Sequence, residues 1–418
     1  MGQGRNQVFQ CKNLESNQCF ARKVVPVSRQ KSLIESQKCL ELLAYYKRKE
    51  LRNVRYRFFD MFPKIKDLEN CKDSDSVIQT TEWQHGLPLN VYMKRHHAHW
   101  SFHGIIHAIV KPIFIRMIHM HKAGVIHCDI KPQNIIVSPD ELDATLIDFD
   151  LSFRIQPLSP RCKEYDDNPN NAIMCWDGKC DHMVCLKKRG TPHFLSHEMV
   201  QRKCHMDISN LPILDYHSFG VTLYYIFAKR KLPFDTSSSS SSSSSESNSD
   251  SNNHEEEKEE ENEKRKNLMK NIRHNKWNRN HLKMALRLND TRKYKGFDYA
   301  QRTYLYSIIG GLLERDFDTK KQAILNLYTL INARGGNWSP PHQPSLSSLS
   351  EIVQQQFPWM HPKRSCSSSD DKQKRDESSK NRLKISYHIT ERRCDQENDP
   401  LASGYHSHYY RRNSQSCI

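Results

Sequence analysis

Three oxygen-bearing side chains stand at spacings that suit phosphate chemistry. In the run Val125-Ile126-His127-Cys128-Asp129-Ile130-Lys131-Pro132-Gln133-Asn134-Ile135-Ile136-Val137, an aspartate is followed five residues later by an asparagine. Fourteen residues beyond Asn134, a second aspartate ends the apolar stretch Leu146-Ile147-Asp148 and is followed by Phe149 and Asp150. Carboxylate and amide oxygens are hard donors, and Mg²⁺ takes one or two carboxylates while leaving other positions to phosphate oxygens. Asp129, Asn134 and Asp148, on two neighbouring loops, therefore suit a magnesium-phosphate site.

Several elements must position these loops. Residues 8–26 alternate and carry Val8, Phe9, Phe20, Val24 and Val25, which predicts short strands joined by the polar turn Asn13 to Gln18. Residues 31–50 read as a helix, with Leu33, Ile34, Leu40, Leu43 and Ala44 on one face. Strand-like segments return at Val54 to Phe59 and Ser76 to Thr81. From Phe102 to His121, apolar pairs such as Ile105-Ile106, Ile109-Val110 and Ile113-Phe114 recur every fourth residue, which predicts one long helix directly before the Asp129 loop. Ser218 to Ala228 is apolar nearly all round, as a buried helix is. A strand-rich first part followed by a helix-rich second part predicts an α+β chain of two lobes.

Together these residues resemble the eukaryotic protein kinase family, in its serine/threonine branch, whose catalytic loop and Asp-Phe-Gly segment they match. The resemblance implies the bilobal kinase fold, with a small β-rich lobe and a larger helical one. It implies that Asp129 accepts the proton of a substrate hydroxyl, that Lys131 contacts the transferred phosphate, and that Asn134 and Asp148 hold Mg²⁺, or Mn²⁺ in its place. Phe20-Ala21-Arg22-Lys23-Val24-Val25 is similar to the third-strand motif, so Lys23 would grip the ATP phosphates and Glu41, preferred over Glu35, would be its partner. Val8, Ala21, Glu82 and Trp83 would border the nucleotide, the last two in a segment resembling the hinge that follows the gatekeeper Thr81. Gly190-Thr191-Pro192-His193-Phe194-Leu195-Ser196-His197-Glu198 looks like the end of the activation segment, with Thr191 near Asp129 and Glu198 in an anchoring role. His127, Phe149 and Asp215 would be structural. The likeness spans residues 1–332, with 1–84 as the small lobe and hinge and 85–332 as the large lobe.

The match departs from the family pattern in places. Gly2-Gln3-Gly4-Arg5-Asn6-Gln7-Val8 lacks the third glycine of a phosphate-covering loop, and the small lobe is expected to lack its first strand. Cys128 stands where many kinases have an arginine that pairs with a phosphorylated segment, so activity is expected not to require that phosphate. Asp150 replaces a flexible glycine. The late arginine that would pair with Glu198 is absent, with Lys320 or Lys321 nearest to its place. In the long activation segment, Cys175, Cys180, His182 and Cys185 form a candidate Zn²⁺ set, with free thiols as the alternative.

Composition bounds the rest. The 418 residues carry 64 Lys+Arg against 48 Asp+Glu, a net of +16, and only 36% are hydrophobic. A globular core diluted by polar segments fits these values. Nine serines from Ser237 and the acidic run to Glu263 predict a disordered insertion at 236–264, and 333–418 reads as a disordered basic tail. From Glu246 to Glu263 there are nine acidic residues and one lysine, so the rest of the chain carries about +24, which suits nucleotide or acidic protein substrates. The tail lacks aromatic spacing for base stacking, which argues against nucleic acid. The most apolar run, Gly104 to Ile118, is broken by His107, Lys111 and Arg116, which excludes a membrane span. The start resembles a myristoylation signal except that Asn6 stands where Ser or Thr is wanted. Thirteen scattered cysteines fit reduced thiols and a cytoplasmic or nuclear location. The competing class is a pseudokinase scaffold that binds partners or nucleotide with little activity.

Overall fold

The computed structural model describes residues 7–50, 62–71, 75–96, 101–138, 143–155, 183–186, 189–201, 204–235, 253–332, 356–357, 390–392 and 405–406. The chain divides into two compact units, one of residues 1–41, 63–84 and 361–418, the other of residues 42–62 and 85–360.

The first unit is built on an antiparallel sheet. Strands β1 (Gln7–Asn13) and β2 (Cys19–Pro26) form a hairpin. Asn13 shapes its turn, because Oδ1 accepts the amides of Glu15 and Ser16 at 3.0 and 2.8 Å. Helix α1 (Gln30–Glu50) follows, and its residues through Glu41 belong to this unit. Strands β3 (Ile65–Cys71) and β4 (Ser76–Glu82) complete the main sheet in the order β3-β4-β2-β1. Val25, Leu33, Leu68 and Val77 are buried together, with Ile34 packed against them. The strand expected at Val54 to Phe59 lies outside the described residues; β3, with only Ile65 and Leu68 as branched apolar residues, has too polar a pattern to stand out in sequence.

The second unit is mainly helical. It takes in the end of α1 from Leu42 and, from His85, the short strand β5 (Leu87–Pro88) and helix α2 (Leu89–His96). The long helix expected from Phe102 is instead α3 (Phe102–Ile105), a π-helical stretch Ile106–Val110, and α4 (Lys111–Lys122). Pro112 gives the reason: it has no N–H to donate, and its ring crowds the carbonyl four residues back, so the turn before it widens. Arg116, which interrupts the apolar stripe, is buried and forms a bidentate pair with Asp143 at 2.8 and 2.6 Å.

Strands β6 (Val125–Ile126), β7 (Ile135–Ser138), β8 (Asp143–Leu146) and β9 (Phe153–Arg154) frame the loops of interest. β7 pairs with β8 and β6 with β9, both antiparallel. Strand β10 (Met183–Leu186) pairs with β11 (Cys204–Asp207) on either side of the short helix α5 (His197–Val200). Helix α6 (Pro212–Phe227) is buried nearly all round, as its composition predicts. A side chain on Gly220 would come within 2.7 Å of Leu312, so glycine permits the close approach of α6 to that neighbour.

Four further stretches correct or narrow the composition-based reading. The acidic part of the insertion expected to be disordered is helical: α7 spans Asn253–Arg273. Glu and Lys are strong helix formers, Lys264 pairs with Glu260 at 2.6 Å one turn away, and Leu268 and Ile272 are buried at the far end. A helix needs only one end anchored, so low average apolarity did not prevent it. Helices α8 (Arg279–Ala285), α9 (Tyr299–Leu313) and α10 (Phe317–Asn332) follow. Within the stretch expected as a tail, Phe357 is fully buried against Phe114 and Tyr328, Thr390–Arg392 pairs parallel with β3, and Tyr405–His406 pairs with β1. Among the described residues no helix is long and apolar enough to cross a membrane.

Candidate active site

The loop from His127 to Asn134 runs between β6 and β7 and closes with a 3-10 turn, Pro132–Asn134, that starts on proline. The Ile147 amide donates to the Asn134 carbonyl at 2.9 Å, which draws the segment carrying Asp148 alongside this loop. His127 fastens the two. Its ring lies 4.6 Å from that of Phe149, Nε2 bonds the Ile147 carbonyl at 3.2 Å, and Nδ1 accepts the Asp129 amide at 3.3 Å. That pattern assigns the neutral tautomer with its proton on Nε2.

Asp215, at the start of α6, holds the same loop from below. Its Oδ2 accepts the His127 amide and its Oδ1 the Cys128 amide, each at 2.8 Å, and His121 Nε2 lies 2.9 Å from Oδ2. Cys128 adopts a left-handed φ of 65°. Such a conformation costs about 1–3 kcal/mol in a non-glycine residue, and two charge-assisted hydrogen bonds suffice to hold it.

Asp129 is the centre of the polar cluster. Oδ1 accepts the Thr191 amide at 3.0 Å and the Thr191 hydroxyl at 2.7 Å. Oδ2 accepts Lys131 Nζ at 2.7 Å and Asn134 Nδ2 at 3.0 Å. Lys131 Nζ also donates to Thr191 Oγ1 at 2.7 Å. Each of these neighbours donates to the carboxylate, so both of its oxygens are held in place. Asn134 spends its amide nitrogen on Asp129 Oδ2 and the Asp129 carbonyl, so Oδ1 is the atom it has to offer a cation. Asp148 sits at φ 67° and ψ 70°, directly before the 3-10 turn Phe149–Leu151. One carboxylate and one amide oxygen, both hard donors on adjoining loops, are a donor set that fits Mg²⁺.

The segment from Gly190 to Glu198 is anchored at both ends. Gly190 has φ 110°, and a Cβ there would lie 2.6 Å from the Cys128 carbonyl oxygen, so only glycine admits this approach. At the other end Glu198 is buried and pairs with Lys320 Nζ at 3.0 Å and His197 Nε2 at 2.9 Å.

The family model of the protein kinase domain matches residues 1–288. The chain belongs to the protein kinase family. Relatives include a protein of Acanthamoeba polyphaga mimivirus named as a serine/threonine-protein kinase, 31% identical over 122 residues, which are 29% of this chain and 34% of the relative. The serine/threonine-protein kinases SKS1 and ELM1 of Saccharomyces cerevisiae are 36% identical over 84 residues and 32% over 122, covering 18% and 28% of this chain. The matched segments span only 34%, 16% and 17% of these relatives' own lengths. Among solved structures, the twitchin kinase region of C. elegans aligns over 84% of this chain and 48% of its own, with a TM-score of 0.49 and 16% identity.

Membership gives the α+β kinase fold to the two units, and the family as a whole uses ATP and Mg²⁺. The remaining candidate residues other than the zinc set lie in the first unit. Val8 on β1 stands opposite Lys23 on β2, and Ala21 opposite Thr81 on β4. Glu82 ends β4, where its amide donates to the Lys64 carbonyl at 2.8 Å. The Trp83 amide is engaged with the Cys19 carbonyl at 3.2 Å, so this N–H serves the sheet. On α1, Glu41 Oε1 accepts Gln37 Nε2 at 2.9 Å, while Oε2 is buried without a hydrogen bond. Of the candidate zinc ligands, Cys175, Cys180 and His182 lie outside the described residues. Cys185 is on β10 opposite His205, with its side chain also outside them. Among the described residues no group of three or more His, Cys, Asp or Glu is placed to hold a metal.

Between the two lysines nearest the expected arginine position, the fold selects Lys320; Lys321 instead lies 3.9 Å from Asp318. Burial pushes the Glu198 carboxyl up, but the Lys320 charge and the His197 hydrogen bond outweigh it and hold the group well below the usual carboxylate range. His217, on α6, joins this buried cluster and was not a candidate from sequence, because nothing local marks it. Burial and the Lys320 charge lower its pKa to about 3, and burial lowers His119 on α4 to about 4.

These two histidines stay neutral in the fold while the unfolded chain protonates them below about pH 6.5. The unfolded state then binds more protons, so stability rises with pH over that window and is lost as pH falls towards 4. Glu198 acts in the same direction below its ordinary value of 4.5. Each histidine contributes on the order of 1 kcal/mol per pH unit between pH 6 and 5. Urea midpoints at pH 7 and pH 5 measure this, and His217→Asn is expected to flatten the slope. An unchanged slope in that variant rejects the assignment.

Proposed function

We propose that the chain is an ATP- and Mg²⁺-dependent serine/threonine protein kinase that transfers the γ-phosphate to protein hydroxyls. The observation that carries this reading is the hydrogen-bonded set of Asp129, Lys131, Asn134 and Thr191, with Asp148 brought alongside through Ile147. A scaffold has no chemical need of all these side chains in one arrangement.

Asp129 orients the substrate hydroxyl and receives its proton; the Thr191 hydroxyl, 2.7 Å away, occupies the kind of position that hydroxyl would take. Lys131 balances charge on the transferred phosphate, and its place two residues after Asp129 supports the serine/threonine branch. Asn134 and Asp148 would hold Mg²⁺, which when bound neutralises the phosphate oxygens. Lys23 would grip the phosphates farther from the transferred group, with Glu41 as its partner. Catalysis is then positioning and electrostatics, with turnover of roughly 1–100 per second.

The test is phosphate transfer from radiolabelled ATP to generic protein acceptors by the full chain and by Lys23→Met. Transfer by the wild type and its near-complete loss in the variant are expected. Equal signal from both, at background, leaves the scaffold reading in its place.

A further inference from the structure

Arg189, Gly190 and Thr191 are consecutive, and each meets a different part of the loops that carry the catalytic groups. Thr191 bonds Asp129 Oδ1 through both its amide and its hydroxyl, and Gly190 lies against the Cys128 carbonyl. Arg189 Nη1 donates to the Leu151 carbonyl at 3.2 Å. Leu151 closes the 3-10 turn that begins directly after Asp148. That turn is fastened twice more, because Ser152 donates its amide to the Phe149 carbonyl at 3.0 Å and its hydroxyl to the His127 carbonyl at 3.3 Å.

The residue before Asp129 is Cys128, a buried thiol without charge. A phosphate on the activation segment would find no cation at that position. The cation instead comes from the segment itself, since Arg189 reaches back to the turn. We propose that Arg189 is a positioning residue that holds the Asp148–Leu151 turn and so presents Asp148 without any phosphate on the segment. The catalytic consequence rests on the kinase reading above; the structural role does not.

Hydrogen exchange of residues 148–154 in the phosphatase-treated full chain tests the structural role, with wild type, Arg189→Ala and Arg189→Lys compared. A charge-assisted hydrogen bond of this kind is worth roughly a tenfold change in the opening equilibrium. Exchange at the Ser152 amide is therefore expected to rise about tenfold in Arg189→Ala and less in Arg189→Lys, with exchange in β7 unchanged as a control on folding. The same variants are titrated with Mg²⁺ in the presence of a fluorescent nucleotide. The Mg²⁺ concentration for half-maximal binding rises about tenfold in Arg189→Ala and is partly restored by lysine. Unchanged exchange in Arg189→Ala overturns the proposal, as does a wild-type turn that becomes protected only after the segment is phosphorylated. Protection that depends on Arg189 in a chain that transfers no phosphate upholds the positioning role and rejects the kinase reading.

Discussion

Asp129→Asn is expected to lower kcat for phosphate transfer by about 10²–10⁴-fold while nucleotide affinity changes little. Under the proposed function, the chemical part of the loss is the missing base. The structural part follows from the neighbours: Thr191 donates twice to Oδ1, while Lys131 and Asn134 donate to Oδ2. An asparagine in either orientation turns its NH₂ towards two donors, so the cluster must open to accept it. Single-turnover transfer from ATP, with nucleotide affinity measured separately, distinguishes loss of chemistry from loss of binding. A variant whose kcat stays within about tenfold of the wild type removes Asp129 from the role of base.

Lys320→Met is expected to destabilise the second unit by about 3–5 kcal/mol. Lys320 is fully buried, and removing its ammonium leaves the carboxylate of Glu198 in a dry site with His197 as its remaining close partner. Lys320→Arg is expected to recover most of the loss, because a guanidinium supplies the same charge and can bond both carboxylate oxygens. Urea unfolding followed by tryptophan fluorescence measures both. If Lys320→Met unfolds within about 1 kcal/mol of the wild type, the pair does not anchor the segment that carries Thr191.

The parts of the site that were legible in sequence are those where a few adjacent residues do one job. His127 to Asn134 is a single loop, and its spacing alone carries the relation of Asp129, Lys131 and Asn134. The hairpin of β1 and β2, α1 and α6 were legible because period-two and period-3.6 patterns report which face is buried. The π-helical break was also written in the chain, at Pro112, but the strong apolar periodicity around it hides a single missing donor. In α7 composition misled, since an average over charged residues does not register that Leu268 and Ile272 anchor one end.

By itself, then, the sequence determined the chemistry on offer: an aspartate with a lysine and an asparagine on one loop, a second aspartate on the next, and the order in which they occur. Tertiary structure alone decided which distant groups serve them. Lys320 and Lys321 are equivalent as letters, yet one step along a helix rotates a side chain by about 100°, and only Lys320 turns towards Glu198. Arg189 and His217 likewise act on residues tens of positions away, through contacts that exist only once the chain has closed on itself. Local spacing encodes what a loop can do, while burial and long-range register encode whether its groups are held charged, oriented and dry.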